Sequence, residues 1–255
     1  MLTFSLQSGS NGNAIYVEAD GVRLLFDAGI SGVMAARRMA HHDRRIESID
    51  ALIVSHEHGD HVGCAGIYQR KFGLPIYMTR KTRDAARRRF RLGPLSDMRR
   101  FRAGDALCFG CVTVHTIPTP HDAVDGVAFV VEAEGRRLGI LTDLGHPFSG
   151  LPGILESVDA AYLECNYDPH LLAHGDYPPH LKARIRGHGG HLSNEESATL
   201  LEACGRRRPK WIAVAHLSER NNRPELAIDA QREAVGRSYP VYHASRYGPS
   251  EMWTV

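Results

Sequence analysis

Asp50-Ala51-Leu52-Ile53-Val54 runs directly into Ser55-His56-Glu57-His58-Gly59-Asp60-His61. The first five residues read as a buried strand and the next seven as a loop that places four metal-ligand types within six positions. Alternate residues leaving a strand point to the same side, so His56 and His58 can grip one cation while Glu57 points away. Gly59 offers a sharp turn, after which Asp60 and His61 can face a second cation beside the first. The bland alternative is a solvated polar turn. However, three imidazoles and a carboxylate held together need a cation to be stable. Imidazole and carboxylate without thiolate suit zinc, manganese or iron, and the sequence does not choose among them.

A two-metal site needs more ligands, and other strand ends offer them. His121 follows Val112–Ile117, Asp143 follows Leu138-Gly139-Ile140-Leu141-Thr142, and His216 follows Trp211-Ile212-Ala213-Val214-Ala215. Any one alone reads as an ordinary loop residue. Three at comparable places, behind a strong motif, read as a set.

With these residues in view, the chain resembles the metallo-β-lactamase superfamily. Phe26-Asp27-Ala28-Gly29 matches its first motif, His56–His61 the second, and His121, Asp143 and His216 the third, fourth and fifth. Three further stretches are similar to the WalJ-like branch of small bacterial exonucleases and phosphodiesterases. They are Ser8-Gly9-Ser10-Asn11-Gly12-Asn13, Gly190-His191-Leu192-Ser193-Asn194-Glu195-Glu196, and the run from His216 to Leu226. The resemblance implies two divalent metal ions, zinc or manganese with iron as a further candidate. His56, His58 and His121 would hold one, Asp60, His61 and His216 the other, and Asp143 would bridge them. Asp27 would stand behind the ligands and orient one by hydrogen bonding.

Two metals about 3.5–4 Å apart can share a hydroxide, clamp a phosphoryl group and stabilise its developing charge. The leaving alkoxide then needs a proton. By resemblance the donor is His191; His191 and Asp60 are the residues expected in catalysis. Ser193-Asn194-Glu195-Glu196 has capping-box form, which places His191 just outside a helix. An imidazole there can hold and release a proton near neutrality. The alternative is an exposed histidine in a glycine-rich turn.

The 255 residues, 43% hydrophobic and 24% charged, suit one soluble domain, 1–255. No apolar run reaches the length of a membrane span, and the N-terminus lacks the basic region and cleavage site of a leader. The five cysteines are odd in number and scattered. A cytoplasmic protein is expected. Cys108-Phe109-Gly110-Cys111 reads as a hairpin turn rather than a metal or redox motif, because no second pair exists. Cys165 reads as buried and inert, with Asn166 and Asp168 beside it near the site.

The pattern predicts two similar halves of strands and helices, hence an αββα sandwich, with no strong internal repeat. Helices are expected at 32–42, 62–72, 79–91, 193–204 and 224–235. Pro169–Gly190, with His170, His174, His180 and His188, reads equally as a flap over the substrate or an irregular connection. His41, His42, His115, His146 and His243 read as structural or surface residues.

Net charge is only +2. Its distribution is uneven: Arg80–Arg102 holds ten Lys or Arg against Asp84 and Asp97, a net of +8, while the rest of the chain carries −6. Arg83, Arg87 and Arg91 recur at helical spacing and, with Arg88, form the expected contact for DNA or RNA. A solvated arginine-rich face is the alternative. The leading expectation is therefore a dinuclear phosphodiesterase, an exonuclease by resemblance. A metallo-hydrolase of a small thioester, lactone or cyclic phosphodiester is a second reading. A non-catalytic nucleic-acid-binding protein is a third, disfavoured because every expected ligand type is present. Oligomeric state is not legible.

Overall fold

The computed structural model describes residues 1–255. Its strands form two seven-stranded sheets with one shared plan. In the first, β1 (Leu2–Gln7), β2 (Ala14–Ala19) and β3 (Val22–Phe26) make an antiparallel meander. It continues in parallel through β4 (Ala51–Ile53), β5 (Ile76–Thr79) and β6 (Met98–Phe101). In the second, β7 (Ala106–Phe109), β8 (Val112–Pro118), β9 (Val127–Ala133) and β10 (Arg136–Leu141) form the meander. There β11 (Ala160–Glu164), β12 (Trp211–Ala215) and β13 (Val241–His243) continue in parallel. The last strand, β14 (Trp253–Thr254), returns to pair with β1 in the first sheet.

Helices α1 (Gly32–Ala40), α2 (Gly59–Val62), α3 (Ala65–Phe72) and α4 (Arg80–Arg89) belong to the first half. Helices α5 (Leu151–Glu156), α6 (Pro169–His174), α7 (Pro179–Arg186), α8 (Asn194–Ala203) and α9 (Pro224–Val235) belong to the second.

The layering follows from strand alternation. On β2, Ile15, Val17 and Ala19 enter the core between the sheets, while Ala14 and Tyr16 join the core under α1 and α3. On β9, Val127, Phe129, Val131 and Ala133 face inward, while Ala128 and Val130 join the core containing Leu151 of α5, Leu200 of α8 and Ala227 of α9. Strands covered on both faces are apolar along nearly their whole length, and the exceptions here, Glu18 and Glu132, are not buried. Phe26 and Phe129 meet across the sheets with ring centroids 5.0 Å apart. Such a pair contributes about 0.5–1.5 kcal/mol beyond its burial. The expected αββα sandwich is the observed architecture.

Gly59 opens the single-turn helix α2, which carries Asp60 and His61. Two helix expectations need correction. The helix expected at 62–72 is thereby split into α2 and α3. The helix expected at 79–91 stops at Arg89, with Phe90 extended at φ −127°. The chain leaves the helix there so that the Phe90 ring can pack on Gly59 and the Leu92 carbonyl on Gly66. Arg91 therefore falls outside the helical stripe. Strand β6 was not expected from Met98-Arg99-Arg100-Phe101. As an edge strand it tolerates two exposed arginines that would be costly inside a sheet. The hairpin through Gly110 joins β7 to β8 as expected, and all five cysteines are free.

The carboxyl ends of the parallel strands open on one edge of the sandwich, the usual place for a site in such sheets. Asp27, Ser55, Asp143, Glu164 and His216 all end strands or lie within two residues of a strand end there.

Candidate metal centre

The seven sequence-predicted ligands lie at this edge as two clusters with Asp143 between them. His56 Nε2 and His121 Nε2 approach His58 Nδ1 at 3.0 and 3.2 Å. In the other cluster, Asp60 Oδ2 is 3.5 Å from His61 Nε2 and 3.4 Å from His216 Nε2. Asp143 Oδ2 lies 3.3 Å from His61 Nε2, and Oδ1 lies 3.6 Å from both His121 Nε2 and His216 Nε2.

Hydrogen bonds behind the rings fix which nitrogens face inward. His121 gives its Nδ1 proton to the Gly190 carbonyl at 2.8 Å. His61 gives its Nδ1 proton to Asp27 Oδ2 at 2.7 Å. The Ser55 hydroxyl donates to the Asp27 carboxylate, so its oxygen can accept from His56 Nδ1 at 2.9 Å. In each case Nε2 is the nitrogen turned inward. Asp27 thus stands behind His61 and, through Ser55, behind His56.

Backbone geometry supports the same edge. Asp27, Asp143 and His216 have φ of 67°, 56° and 57°, three of the six non-glycine residues with positive φ. Such residues cost of order 1 kcal/mol or more and persist where the surroundings hold them. Each one turns the chain immediately after a strand, so that the side chain lies across the sheet edge. Two glycines permit close approach. A Cβ on Gly29 would sit 1.7 Å from the Asp60 carbonyl, and one on Gly190 would sit 2.0 Å from the Ile185 carbonyl. Gly29 lets α2 close down, and Gly190 lets its own carbonyl reach His121.

The buried charges are tightly coupled. Burial and the neighbouring His61 push the His56 pKa far down. Burial opposes charge on His61 too, but Asp143, Asp60 and Asp27 outweigh it and raise the pKa well above the usual value. Burial would raise Asp143, yet His216, His61, His56 and His121 hold it well below the usual carboxylate range. Asp143 Oδ2 is nevertheless buried without any hydrogen-bond partner. An orphaned carboxylate oxygen among inward-facing imidazole nitrogens, which shed their protons to a cation, is a donor set that fits divalent cations.

Above the clusters is a cleft of about 490 Å³ whose lining includes His58, Asp60, Arg89, Asp122, Arg184 and His191, with no hydrophobic side chain. His191 Nδ1 donates to Glu164 Oε1 at 2.7 Å, which leaves Nε2 for the cleft. Glu164 is fully buried, and its other oxygen accepts the Leu144 amide at 2.9 Å. Glu164 was missed in the sequence, although it ends an apolar strand just as Asp143 and His216 follow theirs. Glu57 points away from the cleft, as expected, and its carboxylate accepts the Val124 amide, bracing the His121 loop. Asn166 contacts His216, with Nδ2 2.8 Å from its carbonyl. Asp168 does not reach the site; it caps α6 through the Leu171 amide.

Segment 169–190 is a pinned connection. Arg184 of α7 grips Asp122 through two bonds of 2.5 and 3.0 Å, and Gly189 accepts the Asp122 amide at 2.9 Å. His188 accepts from His146 through its carbonyl, while His170, His174 and His180 are exposed and absent from the clusters. Of the four arginines expected to touch nucleic acid, none lines the cleft. Arg83 pairs with Asp84 at 2.6 Å, Arg83 and Arg87 border a separate hollow with Pro94 and Met98, and Arg88 and Arg91 are exposed. The stripe's cleft residue is Arg89, at the end of α4.

The Beta-lactamase superfamily domain matches residues 22–212. Exodeoxyribonuclease WalJ of Streptococcus pneumoniae serotype 2 (strain D39 / NCTC 7466) is 35% identical over 249 residues, covering 94% of this chain and 93% of that one. Exodeoxyribonuclease YycJ of Bacillus anthracis is 31% identical over 254 residues, covering 97% and 96%. Among solved structures, the metallo-beta-lactamase fold protein YhfI from Bacillus subtilis superposes with a TM-score of 0.75 at 17% identity, each chain covered in full. No helix is long and apolar enough to cross a membrane.

Proposed function

The chain belongs to the metallo-β-lactamase superfamily, in the branch of the WalJ and YycJ exodeoxyribonucleases, and from that premise we propose that it is a metal-dependent exonuclease acting on DNA. The observation that carries the reading is the paired cluster with Asp143 Oδ2 orphaned between its halves. His56, His58 and His121 would hold one divalent ion, Asp60, His61 and His216 a second, and Asp143 both, with zinc or manganese as the candidates. When bound, such ions supply Lewis acidity towards phosphoryl oxygen and water.

The chain's own groups complete the chemistry. Glu164 holds His191 in the tautomer with a proton on Nδ1, so Nε2 faces the cleft and, once protonated, can donate to the departing oxygen. Arg184, fixed on Asp122, and Arg89, which has no ion-pair partner in the protein, bring positive charge to the mouth from opposite halves of the chain. A fully polar cleft suits a phosphodiester strand better than an apolar acyl group, which weighs against the thioester and lactone reading. Residues 1–255 act as one domain, the inner core drawing on both sheets. The five free cysteines favour a cytoplasmic setting.

The reading is tested with metal-reconstituted protein on end-labelled single- and double-stranded DNA and RNA, beside a chromogenic thioester, with a His58→Ala control. Stepwise shortening of DNA, absent in the control, is expected. Turnover of the thioester alone would reverse the assignment. Arg89→Ala should raise KM for DNA by about three- to tenfold and leave kcat within about twofold, because a phosphate contact made equally in ground and transition states changes binding only. An unchanged KM would remove Arg89 from the substrate path.

A further inference from the structure

A second cavity, of about 240 Å³, lies beside the metal cleft. The Ser8–Asn13 loop stands between them: Ser10 lines the cleft, while Gly9 backs onto Arg246 and the Leu217 carbonyl. The cavity is bordered by Arg246, Arg223, His243, Ser218 and Tyr247, and by Pro224 at the start of α9. Arg223, the residue before that helix, brings a second guanidinium to the cavity wall.

Arg246 is the second, independent feature. It is only 8% exposed, and its Nε and Nη1 are buried with no hydrogen-bond partner. Only Nη2 is answered, by Glu219 Oε2 at 3.2 Å; the Glu219 side chain, 58% exposed, also lines the cavity and accepts from the Tyr247 hydroxyl at 3.4 Å. A guanidinium with two unanswered donors in the cavity wall, beside Arg223, gives the cavity positive charge that an anion can answer. Tyr247 gives the anion a context. It is 72% exposed at the cavity mouth, and the Arg246 guanidinium lies 5.6 Å from its ring centre. Tyr247 also borders the adjoining hollow that holds Arg37 and Arg38. An exposed ring amid a run of cations is the arrangement that holds a nucleic-acid strand by stacking and phosphate contact.

We propose that the Arg246–Tyr247 cavity seats a phosphate of the nucleic-acid strand away from the bond being cleaved, with a base of that strand on the Tyr247 ring. The inference rests on the nuclease reading. It adds a strand-holding subsite that does not depend on the metal ions.

The test is fluorescence anisotropy of a fluorescein-labelled single-stranded DNA 12-mer, with chelator present, on the wild type, Tyr247→Ala, Arg246→Gln and Arg246→Lys. Tyr247→Ala and Arg246→Gln should each raise Kd by about five- to thirtyfold. Arg246→Gln should also reduce the salt slope by about one, and Arg246→Lys should restore most of it. Turnover of a small chromogenic phosphodiester by the metal-loaded variants should stay within about twofold, because that substrate does not reach the cavity. Should Arg246→Gln melt early, Tyr247→Ala decides, its side chain being exposed. Wild-type binding with an unchanged Kd in Tyr247→Ala would overturn the inference and leave the nuclease reading intact. Inorganic phosphate that displaces no 12-mer yet stabilises the wild type through Arg246 would assign the cavity to a free anion and overturn it too. A wild type that neither binds nor shortens DNA would overturn the nuclease reading, and the inference with it.

Discussion

Replacing His191 by alanine is expected to lower kcat on DNA by about 10²–10⁴-fold while the protein still binds its full complement of metal, the range general acid catalysis supplies. His191 is at the cleft beside Asp143 and His216 but belongs to neither ligand triad, His56-His58-His121 or Asp60-His61-His216. Its Nδ1 is committed to Glu164, and that bond sets the ring's orientation. Truncation therefore removes a proton donor and leaves His56, His58, His121, Asp60, His61 and His216 in place. The loss should shrink for a substrate whose leaving group needs no proton, such as a nitrophenyl phosphodiester. Metal content by mass spectrometry, beside kcat on the two substrates, checks both halves. Equal losses on both, or a loss of metal, would move His191 from proton donor to structural support.

Asp143→Asn should have the larger effect, a fall in kcat/KM of roughly 10³-fold or more, accompanied by loss of metal. The substitution keeps the size and removes the charge. Asp143 is the one carboxylate that faces both clusters, and its neighbours His216, His61, His56 and His121 keep it ionised against the penalty of burial. A neutral amide there leaves two sets of lone pairs without their shared anion. Isothermal titration with zinc or manganese should show weakened uptake, with circular dichroism confirming that the fold survives. Undiminished uptake of two ions by the variant would show that Asp143 does not join the clusters.

Much of this site was legible because its chemistry is local. His56, His58, Asp60 and His61 sit in one short stretch, and their spacing assigns the first two to one cluster and the last two to the other. His121, Asp143 and His216 were legible through position, as polar residues just past apolar strands. Glu164 follows the same rule but stood within the strand itself, where a charge reads as an irregularity until His191 and the Leu144 amide are seen to satisfy it. The basic stripe was misjudged for a different reason. Helical spacing predicted Arg83, Arg87 and Arg91 on one face, yet the helix ends at Arg89 because Phe90 and Leu92 are drawn onto Gly59 and Gly66. Those contacts are between segments distant in sequence, and no periodicity within the stripe encodes them. Arg246 escaped notice entirely, since a lone arginine near the end of a chain carries no pattern. Its meaning comes from burial beside the start of α9.

The central claim is most directly tested by titrating metal-free protein with zinc or manganese while bound metal per chain and turnover of end-labelled DNA are measured on the same samples. Two ions per chain are expected, with DNA shortening rising as the second site fills. Full activity at one ion, or DNA turnover indifferent to metal, would contradict the account.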